Sequence, residues 1–371
     1  MTHPTAVTPT LSTSTIQLPT TMGLDISDQA SHYLVQRGDG AKLAAGKVKM
    51  TRAHLRALFQ AYTGCRLVIE AGGHSPWVSR LASECGMEVI VANSRKLELI
   101  SKNDRKSDRV DAELLTELGR TNPSLLSPIT HRSERAQTDR SVLRARDELV
   151  RARTGLVNHV RGVLKSNGHR APSSATSAFV RKSAASIPDE LRAGLDPVLE
   201  VIASITERIE RMDEQIERLC SERYPITHLL RQIKGVGPIV ALSFVLTIDD
   251  PKRFRSARDV GAYLGLVPRK KSSGKSDPQM RITKAGDRDM RRLLVNAAAY
   301  VLGHFGPDCD LRRFGERVAS ASGNKDARKR ARVAVARKLA VLMHHLWRTG
   351  EVYDPLYLAK KRGELAAAAA S

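Results

Sequence analysis

Four acidic residues in the N-terminal half of the chain have the types and spacing to do chemistry. Asp25 follows the apolar run TMGL, and Glu70 ends the run RLVIE, so each lies at or near the end of an expected β-strand. Asp108 and Asp111 are three positions apart in KSDRVDAELL. On a helix this spacing places both carboxylates on one face, one turn apart. The four residues are therefore candidates for a shared site.

Four carboxylates brought together would repel one another unless a cation joined them. Mg²⁺ or Mn²⁺ fits, because such ions take oxygen ligands and retain water and phosphate oxygens. Two ions about 4 Å apart can stabilise the attacking and the leaving oxygen of a phosphodiester, as in RNase H-like nucleases. The predicted catalytic metal ligands are Asp25, Glu70, Asp108 and Asp111. Taken singly, each is more typical of a surface charge, and Asp108 could cap its helix.

A glycine turn between two apolar segments marks the second half of the chain. In LLRQIKGVGPIVALSFV (229–245), apolar residues flank Gly235 and Gly237, and Pro238 suits the first position of a helix. The pattern predicts a helix-hairpin-helix, whose turn amides and second helix N-terminus suit a DNA phosphate. An ordinary tight turn between two helices is the alternative.

Residues 251–292, called here the basic arm, hold 13 Lys and Arg residues but only four acids. A phosphate backbone is the natural partner for such an imbalance. Within the arm, Ser272 and Ser273 precede Gly274, and a serine hydroxyl needs a metal, a base or nearby cations to attack phosphorus. By itself the Ser-Ser-Gly triplet is simply a flexible loop. The predicted nucleic-acid-binding residues are Gly235, Gly237, Arg269, Lys270, Lys271, Lys275, Arg281 and Lys284.

The four carboxylates fall within an α/β domain that is predicted over 21–128 and that would position them. Short apolar runs alternate there with helical stretches, which indicates a mixed sheet. Strands are predicted at 21–26, 32–35, 66–71 and 87–92, and helices at 52–62, 75–85 and from Asp108 onward. The Pro- and Ser-punctuated segment 121–130 is predicted to be a linker.

The rest of the chain is predicted to be all-α. Residues 129–225 contain an Arg-rich helix over about 132–166 and a second helix with apolar residues at alternating steps of 3 and 4 from Val198 to Leu219. This heptad seam predicts a coiled coil, within the chain or between subunits, with a simple helical hairpin as the alternative. A compact helical domain is predicted over 226–350, with a disordered tail at 1–20 and a second tail at 351–371.

The composition narrows the class of partner. The chain has 371 residues and a formal net charge of +22, which favours nucleic acid. No stretch approaches the roughly 18 apolar residues of a membrane span, and the Thr-rich N-terminus lacks the features of a signal peptide. The four cysteines form no CxxC pair, which argues against a zinc site or a disulfide framework. We therefore expect a cytoplasmic, nucleoid-associated protein with no membrane partner.

In their order, these motifs resemble the insertion-sequence-110 family of DEDD transposases. GLDIS, VIEAGG and KSDRVDAELL correspond to the family's Asp, Glu, Asp and Asp, and RARTGLVNHVRGVLKSNG (151–168) resembles the helix that follows them. Residues 233–298 resemble the family's second, transposase-20-like domain, and WRTGEVYDPLY (347–357) resembles its IS1111-type branch. The resemblance covers roughly 22–350.

The resemblance implies a RuvC-like catalytic domain with an RNase H fold, which binds Mg²⁺ through the four acids. It also implies a serine nucleophile that joins a DNA 5′ phosphate. By motif position this serine is Ser273, with Ser272 as the neighbouring alternative. The implied partners are donor and target DNA, a structured non-coding bridge RNA that guides recombination, and further copies of the chain in a dimer or tetramer.

Two other functions fit some of these features. A metal-dependent, structure-specific nuclease of the Holliday-junction resolvase type would use the carboxylates with water and would not need Ser273. A non-catalytic nucleic-acid-binding scaffold would need only the basic helices. Loss of Ser273 separates the first two functions, and loss of Asp25 separates either enzyme from the scaffold.

Overall fold

The computed structural model describes residues 18–96, 107–270, 278, 280–321 and 326–370. These residues form two compact units, divided between His131 and Arg132. The first unit is an α/β structure, and the second is mostly helical. This agrees with the predicted combination of an α/β part and an all-α part.

The first unit is built on a five-stranded mixed sheet. Its strands are β1 (Thr21–Asp25), β2 (Ala30–Gln36), β3 (Lys42–Lys49), β4 (Arg66–Glu70) and β5 (Glu88–Ala92), in the order β3-β2-β1-β4-β5. The β1–β2 and β2–β3 pairs are antiparallel, whereas β1–β4 and β4–β5 are parallel. The sequence does not predict β3, because this mostly exposed edge strand is rich in lysine and has few apolar residues.

Helices cover both faces of the sheet. Two of them, α1 (Arg52–Ala61) and α2 (Ser75–Glu84), share a core with Leu24 and Ile69. On the other face lies α3 (Asp108–Thr121), whose Leu115 packs with Val68. Since successive side chains of a strand point to opposite faces, alternate residues of β1 and β4 face α3.

The segment 121–130, predicted as a linker, is instead part of the first unit. It contains a 3-10 turn over Pro123–Leu126, and Leu126 is fully buried. The backbone N–H of Asn93 donates to the Leu126 carbonyl at 3.0 Å, and that of Ile129 donates to the Val91 carbonyl at 2.9 Å. The segment thus runs alongside β5, and its buried Leu126 covers that edge of the sheet.

The second unit has ten named helices in the described part of the chain. They are α4 (Glu134–Ser166), α5 (Phe179–Ser183), α6 (Asp189–Arg218), α7 (Ile226–Leu230), α8 (Pro238–Ile248), α9 (Ala257–Tyr263), α10 (Arg288–Val301), α11 (Asp310–Ser320), α12 (Ala327–Thr349) and α13 (Tyr357–Ala370). Residues 241–248 of α8 are all buried, and α10 and α12 pack around the same core. None of the described helices is long and apolar enough to cross a membrane.

The heptad residues of α6 form its packed side. Ile202, Ile209 and Ile216 are buried, and Ile202 shares a core with Val157 and Val160 of α4. The two long helices therefore pack against each other within the chain. A coiled coil between subunits stays a prediction.

The C-terminal segment 351–371, predicted to be a tail, contains the helix α13. Its last residues are mostly alanine, which has the highest intrinsic helix propensity. Composition therefore favours a helix here over an irregular tail.

Candidate active site and basic arm

Asp25 and Glu70 end two neighbouring parallel strands. Leu24 of β1 pairs with Ile69 of β4, so the next residue of each strand is one of the two acids. Both acids also face α3. Asp25 lies two positions after Gly23, which contacts α3, and Glu70 lies two positions after Val68, which belongs to the core under α3. Two of the predicted ligands thus share one end and one face of the sheet.

Asp108 and Asp111 lie in the first turn of α3, but Asp108 is not its cap. Ser107 is the cap, and its hydroxyl accepts a hydrogen bond from the Val110 backbone N–H at 3.4 Å. The capping alternative for Asp108 is therefore wrong, because the preceding serine satisfies the orphan amide. Asp111 is buried, whereas the Asp108 side chain is 61% exposed.

Gly23 determines how closely α3 approaches β1. Its backbone N–H donates to the Thr116 hydroxyl at 3.0 Å. A Cβ on Gly23 would lie 2.4 Å from the carbonyl oxygen of Ala112, far inside normal contact distance. Only glycine fits here, so the second and third turns of α3, which follow Asp108 and Asp111, are held directly against the strand that carries Asp25.

His32 is a further polar residue at this end of the sheet. It lies directly opposite Asp25 in the antiparallel β1–β2 pair, and its Nδ1 is 3.6 Å from Asp108 Oδ2. His32 is thus a neighbour both of Asp25, through strand pairing, and of Asp108, through its imidazole. The sequence predicts the strand but not this role, although His32 has the same strand parity as the buried Leu34.

The donor chemistry of this set suits a hard divalent cation, since all four predicted ligands are carboxylates. The four acids lie at one end of the first unit, where β1, β4 and α3 carry them: Asp25, Glu70, Asp108 and Asp111. Within residues 18–96, 107–270, 278, 280–321 and 326–370, no three His, Cys, Asp or Glu side chains are arranged to hold a metal ion. The structure therefore brings the four acids to one region without closing them into a coordination shell.

The basic arm folds back on itself on both sides of its serine motif. Pro268 and Ile282 form an antiparallel bridge, and the backbone N–H of Arg269 donates to the Arg281 carbonyl at 3.0 Å. Arg269, Lys270, Arg281 and Lys284 are exposed and form no ion pair with any residue that the structure describes. Lys271, Ser272, Ser273 and Lys275 lie outside the described residues.

Two glycines fix the base of this paired segment. Gly265 and Gly286 have positive φ angles of 68° and 74°. A Cβ on Gly265 would lie 2.1 Å from the Ala285 carbonyl oxygen, and the Arg291 guanidinium donates to that same oxygen at 2.6 Å. The flanks of the serine motif are therefore in close backbone contact with each other and are anchored to α10 through the Arg291 side chain.

The glycine turn of 229–245 joins the short helix α7 to α8. Gly235 has a φ of 93°, and a Cβ there would lie 3.0 Å from Tyr300 Cδ1, so the turn packs closely on α10. Gly237 precedes Pro238, the first residue of α8. The predicted helices and turn are present, while a helix-hairpin-helix role in binding DNA stays a prediction.

Comparison with known proteins shows which family this chain is similar to. Residues 22–167 match the DEDD-type transposase model of the IS110 group, and residues 227–312 match the model described as "Transposase IS116/IS110/IS902 family". The chain is 31% identical to a probable family 20 transposase of Pseudomonas aeruginosa, over 83% of this chain and 94% of that protein.

Two transposases of named insertion sequences show the same likeness. Identity to the transposase for insertion sequence element IS1328 of Yersinia enterocolitica is 30%, over 75% of this chain and 83% of that protein. Identity to the IS1111A transposase of Coxiella burnetii is 25%, over 83% and 85% of the two chains. These likenesses and both matched models show that the chain belongs to the IS110 family of DNA transposases.

Proposed function

We propose that this transposase cuts and rejoins donor and target DNA with a magnesium-binding carboxylate set and a serine nucleophile. The set is Asp25, Glu70, Asp108 and Asp111 on an RNase H-like, RuvC-like domain, and the nucleophile is Ser273. The observation that carries the proposal is the placement of Asp25 and Glu70 at adjacent ends of parallel strands, on the face where α3 begins with Asp108.

A divalent cation offsets the repulsion that keeps such carboxylates apart. The four residues supply only oxygen donors, as Mg²⁺ or Mn²⁺ prefers. When bound, the metal supplies positive charge that stabilises the phosphoryl oxygens and the attacking and leaving oxygens. Asp25 and Glu70 are fixed by strand pairing and Asp111 by burial, so they hold the site's position. The exposed Asp108, beside His32, is the member best able to move toward a ligand.

The serine chemistry conserves the number of phosphoester bonds. Ser273 Oγ attacks phosphorus, the Oγ–P bond forms, and the bond to the departing 3′ oxygen breaks. The serine proton passes through solvent, and the 3′ oxygen leaves as a hydroxyl. A 3′ hydroxyl of the partner strand then attacks the phosphoserine, which rejoins the DNA and returns the proton to Ser273. Because each bond broken is replaced, no nucleotide hydrolysis is needed.

The basic arm and a guide RNA complete the proposal. Arg269, Lys270, Arg281 and Lys284 flank the serine motif in sequence and offer unpaired charge to a phosphate backbone. Guidance by a bridge RNA and action as a homo-oligomer follow from the family resemblance. A related protein of Moraxella bovis, 27% identical over 67% of this chain, is named a pilin gene-inverting protein. That name describes rearrangement of DNA, which supports strand exchange over simple hydrolysis.

Trapping of the covalent intermediate tests the serine. We expect the wild-type chain, incubated with Mg²⁺, guide RNA and end-labelled DNA, to form a protease-sensitive protein–DNA adduct. Ser273→Ala should lose both the adduct and recombination, whereas Ser272→Ala should retain both. Recombination by Ser273→Ala would overturn the proposed nucleophile. Loss of the adduct only in Ser272→Ala would move the role to Ser272.

The same assay separates the other functions. Cleavage without an adduct, unaffected by Ser273→Ala, would favour the resolvase-type nuclease. Asp25→Asn should abolish cleavage while leaving DNA binding intact. A wild-type chain that binds DNA without cleaving it, and an Asp25→Asn chain that binds equally well, would favour the binding scaffold, whereas full cleavage by Asp25→Asn would exclude Asp25 from the active site.

A further inference from the structure

The C-terminal helices line a solvent-open basic pocket far along the chain from the serine motif. The pocket, called here the α11–α13 pocket, has a volume of about 240 Å³. Its charged lining residues are Asp310, Arg313, Arg317, Lys338 and Arg362. These residues come from three helices, so their proximity is a product of the fold rather than of one charged run.

Three of the four cations have no carboxylate partner among the residues that the structure describes. Arg313 is paired with Asp308 at 2.6 Å. Arg317, Lys338 and Arg362 form no ion pair with any residue in the described part of the chain. The carboxylate of Asp310 accepts the Leu358 backbone N–H at 2.6 Å, so this acid already holds the start of α13 in place.

The charges in the pocket act on one another. Partial burial lowers the pKa of Lys338, and the positive charges of Arg317 and Arg362 lower it further. The Lys338 ammonium lies 4.0 Å from the centre of the Phe314 ring, a contact that gives it no oxygen acceptor. An anion in the pocket would relieve this repulsion and accept the unused N–H groups.

We propose that the α11–α13 pocket binds a single phosphate group of a nucleic-acid backbone. A phosphate offers several oxygen acceptors, and guanidinium groups match them in charge and geometry. The volume equals that of roughly eight water molecules, enough for one such group with its ordered water. Because the chain is a transposase, a polynucleotide is the available source of that group, and DNA and RNA backbones share its chemistry.

This site is independent of the metal and of Ser273. Binding can therefore be measured in EDTA, where no cleavage occurs, so failure here and failure of the proposed catalytic chemistry are distinguishable. The probes are a short duplex DNA and a hairpin RNA, each followed by fluorescence anisotropy between about 50 and 200 mM salt.

The variants are Arg317→Gln, Lys338→Gln and Arg362→Gln, singly and combined, in the full-length chain. Matched controls are Arg332→Gln on α12 and Lys361→Gln on α13, exposed cations that do not line the pocket. All the pocket variants should fold, since each removes a repelling charge. Their melting temperatures should equal or exceed that of the wild-type chain.

If all three cations bind the same phosphate, the losses in binding caused by the single variants should not add up in the combined variant. Each single variant should weaken binding and lower the slope of log K against log salt by about one, and the combined variant should lower it by about one in total. The nucleic acid whose binding falls identifies the source of the phosphate. Additive losses, with a slope reduced by about three, would overturn the proposal in favour of a diffuse basic surface. Equal losses in the two controls, or no loss in any variant, would also overturn it.

Inorganic phosphate gives a second test. At constant ionic strength it should raise the melting temperature of the wild-type chain and of both controls, but not that of the combined variant. Equal stabilisation of the combined variant would contradict the pocket as the site.

Discussion

Asp25 and Glu70 stand side by side, one position beyond the paired Leu24 and Ile69 at the ends of two parallel strands. This relationship depends on backbone hydrogen bonds rather than on flexible side chains. The two carboxylates are therefore held at one edge of the sheet before any ligand arrives. A site preorganised in this way needs less reordering when it binds a charged group.

Substitution of Glu70 by Gln should remove DNA cleavage while leaving the fold intact. The amide is isosteric, but it lacks the negative charge that a divalent cation requires. We expect a loss of at least about 100-fold in the cleavage rate, equivalent to about 2.7 kcal/mol of transition-state stabilisation. The measurement is single-turnover cleavage in Mg²⁺, with circular dichroism to check the fold.

Glu88→Gln is the matched control for that variant. Glu88 begins β5 at the opposite end of the sheet, where it pairs with Arg66 at 3.0 Å. Its loss should leave cleavage near the wild-type rate. Equal losses in both variants would mean that general stability, rather than the proposed site, explains the effect.

Gly23→Ala should disturb the site without touching a carboxylate. The added methyl group would lie 2.4 Å from the carbonyl oxygen of Ala112, so α3 must move away from β1. Overpacking of this kind costs about 1–3 kcal/mol of unfolding free energy. Because Asp108 and Asp111 begin α3, cleavage should fall more steeply than stability does. Urea unfolding and single-turnover cleavage measure the two effects.

Gly155→Ala provides the comparison. Gly155 lies in the middle of α4, where an added Cβ meets nothing within 4 Å. Alanine there should be neutral or stabilise the chain by up to about 1 kcal/mol. A Gly23→Ala chain that behaved like Gly155→Ala would contradict the close packing of α3 on β1.

The sequence predicts the ends of β1 and β4 because apolar runs stop at Asp25 and Glu70, and it predicts a helix from Asp108 onward. It did not identify His32 beside Asp108, since that contact depends on strand pairing between residues distant in sequence. It also offers Asp108 as a cap of α3, whereas the cap is Ser107. Both residue types cap helices well, and only the backbone geometry decides between them.

The misassigned segments have a common physical cause. Leu126 is buried because an edge of β5 lies beside it, which local composition does not reveal. The strand β3 forms because β2 offers it hydrogen-bond partners, although its own residues are mostly exposed. The cations of the α11–α13 pocket likewise come from three helices separated along the chain. Tertiary context, rather than local propensity, determines each of these features.

Neutralising the flanks of the serine motif should weaken DNA binding through its salt dependence. Arg269→Gln combined with Arg281→Gln removes two exposed charges whose backbones pair at 3.0 Å. If each side chain contacts its own phosphate, the slope of log K against log salt should fall by about two. Lys165→Gln, an exposed charge in the last turn of α4, should leave the slope unchanged. An unchanged slope in the double variant would show that the basic arm does not belong to the DNA interface.

Asp287 should make the second unit sensitive to acid. Burial raises the pKa of Asp287, but the Met290 backbone N–H and the charges of Arg140 and Arg132 outweigh it, so the pKa lies below its ordinary value. Met290 donates to this carboxylate at 2.8 Å, and Arg140 pairs closely with it. A lowered folded-state pKa means that the unfolded chain takes up the proton first as the pH falls. The stabilisation is therefore complete above the unfolded pKa of about 3.9 and is lost as the pH falls through the folded-state value.

Asp287→Asn tests this linkage. At neutral pH it should lower the unfolding free energy by about 3–5 kcal/mol, because Arg140 is left buried without its partner. The difference from the wild-type chain should shrink as the pH falls below about 4, because the wild-type carboxylate is protonated first in the unfolded chain and then, at its lower pKa, in the folded chain. Urea unfolding at neutral and acid pH measures both quantities. Asp308→Asn, which removes the exposed partner of Arg313, should change little at either pH. A difference between Asp287→Asn and wild type that persisted in acid would show that the carboxylate acts by packing or capping rather than through its charge.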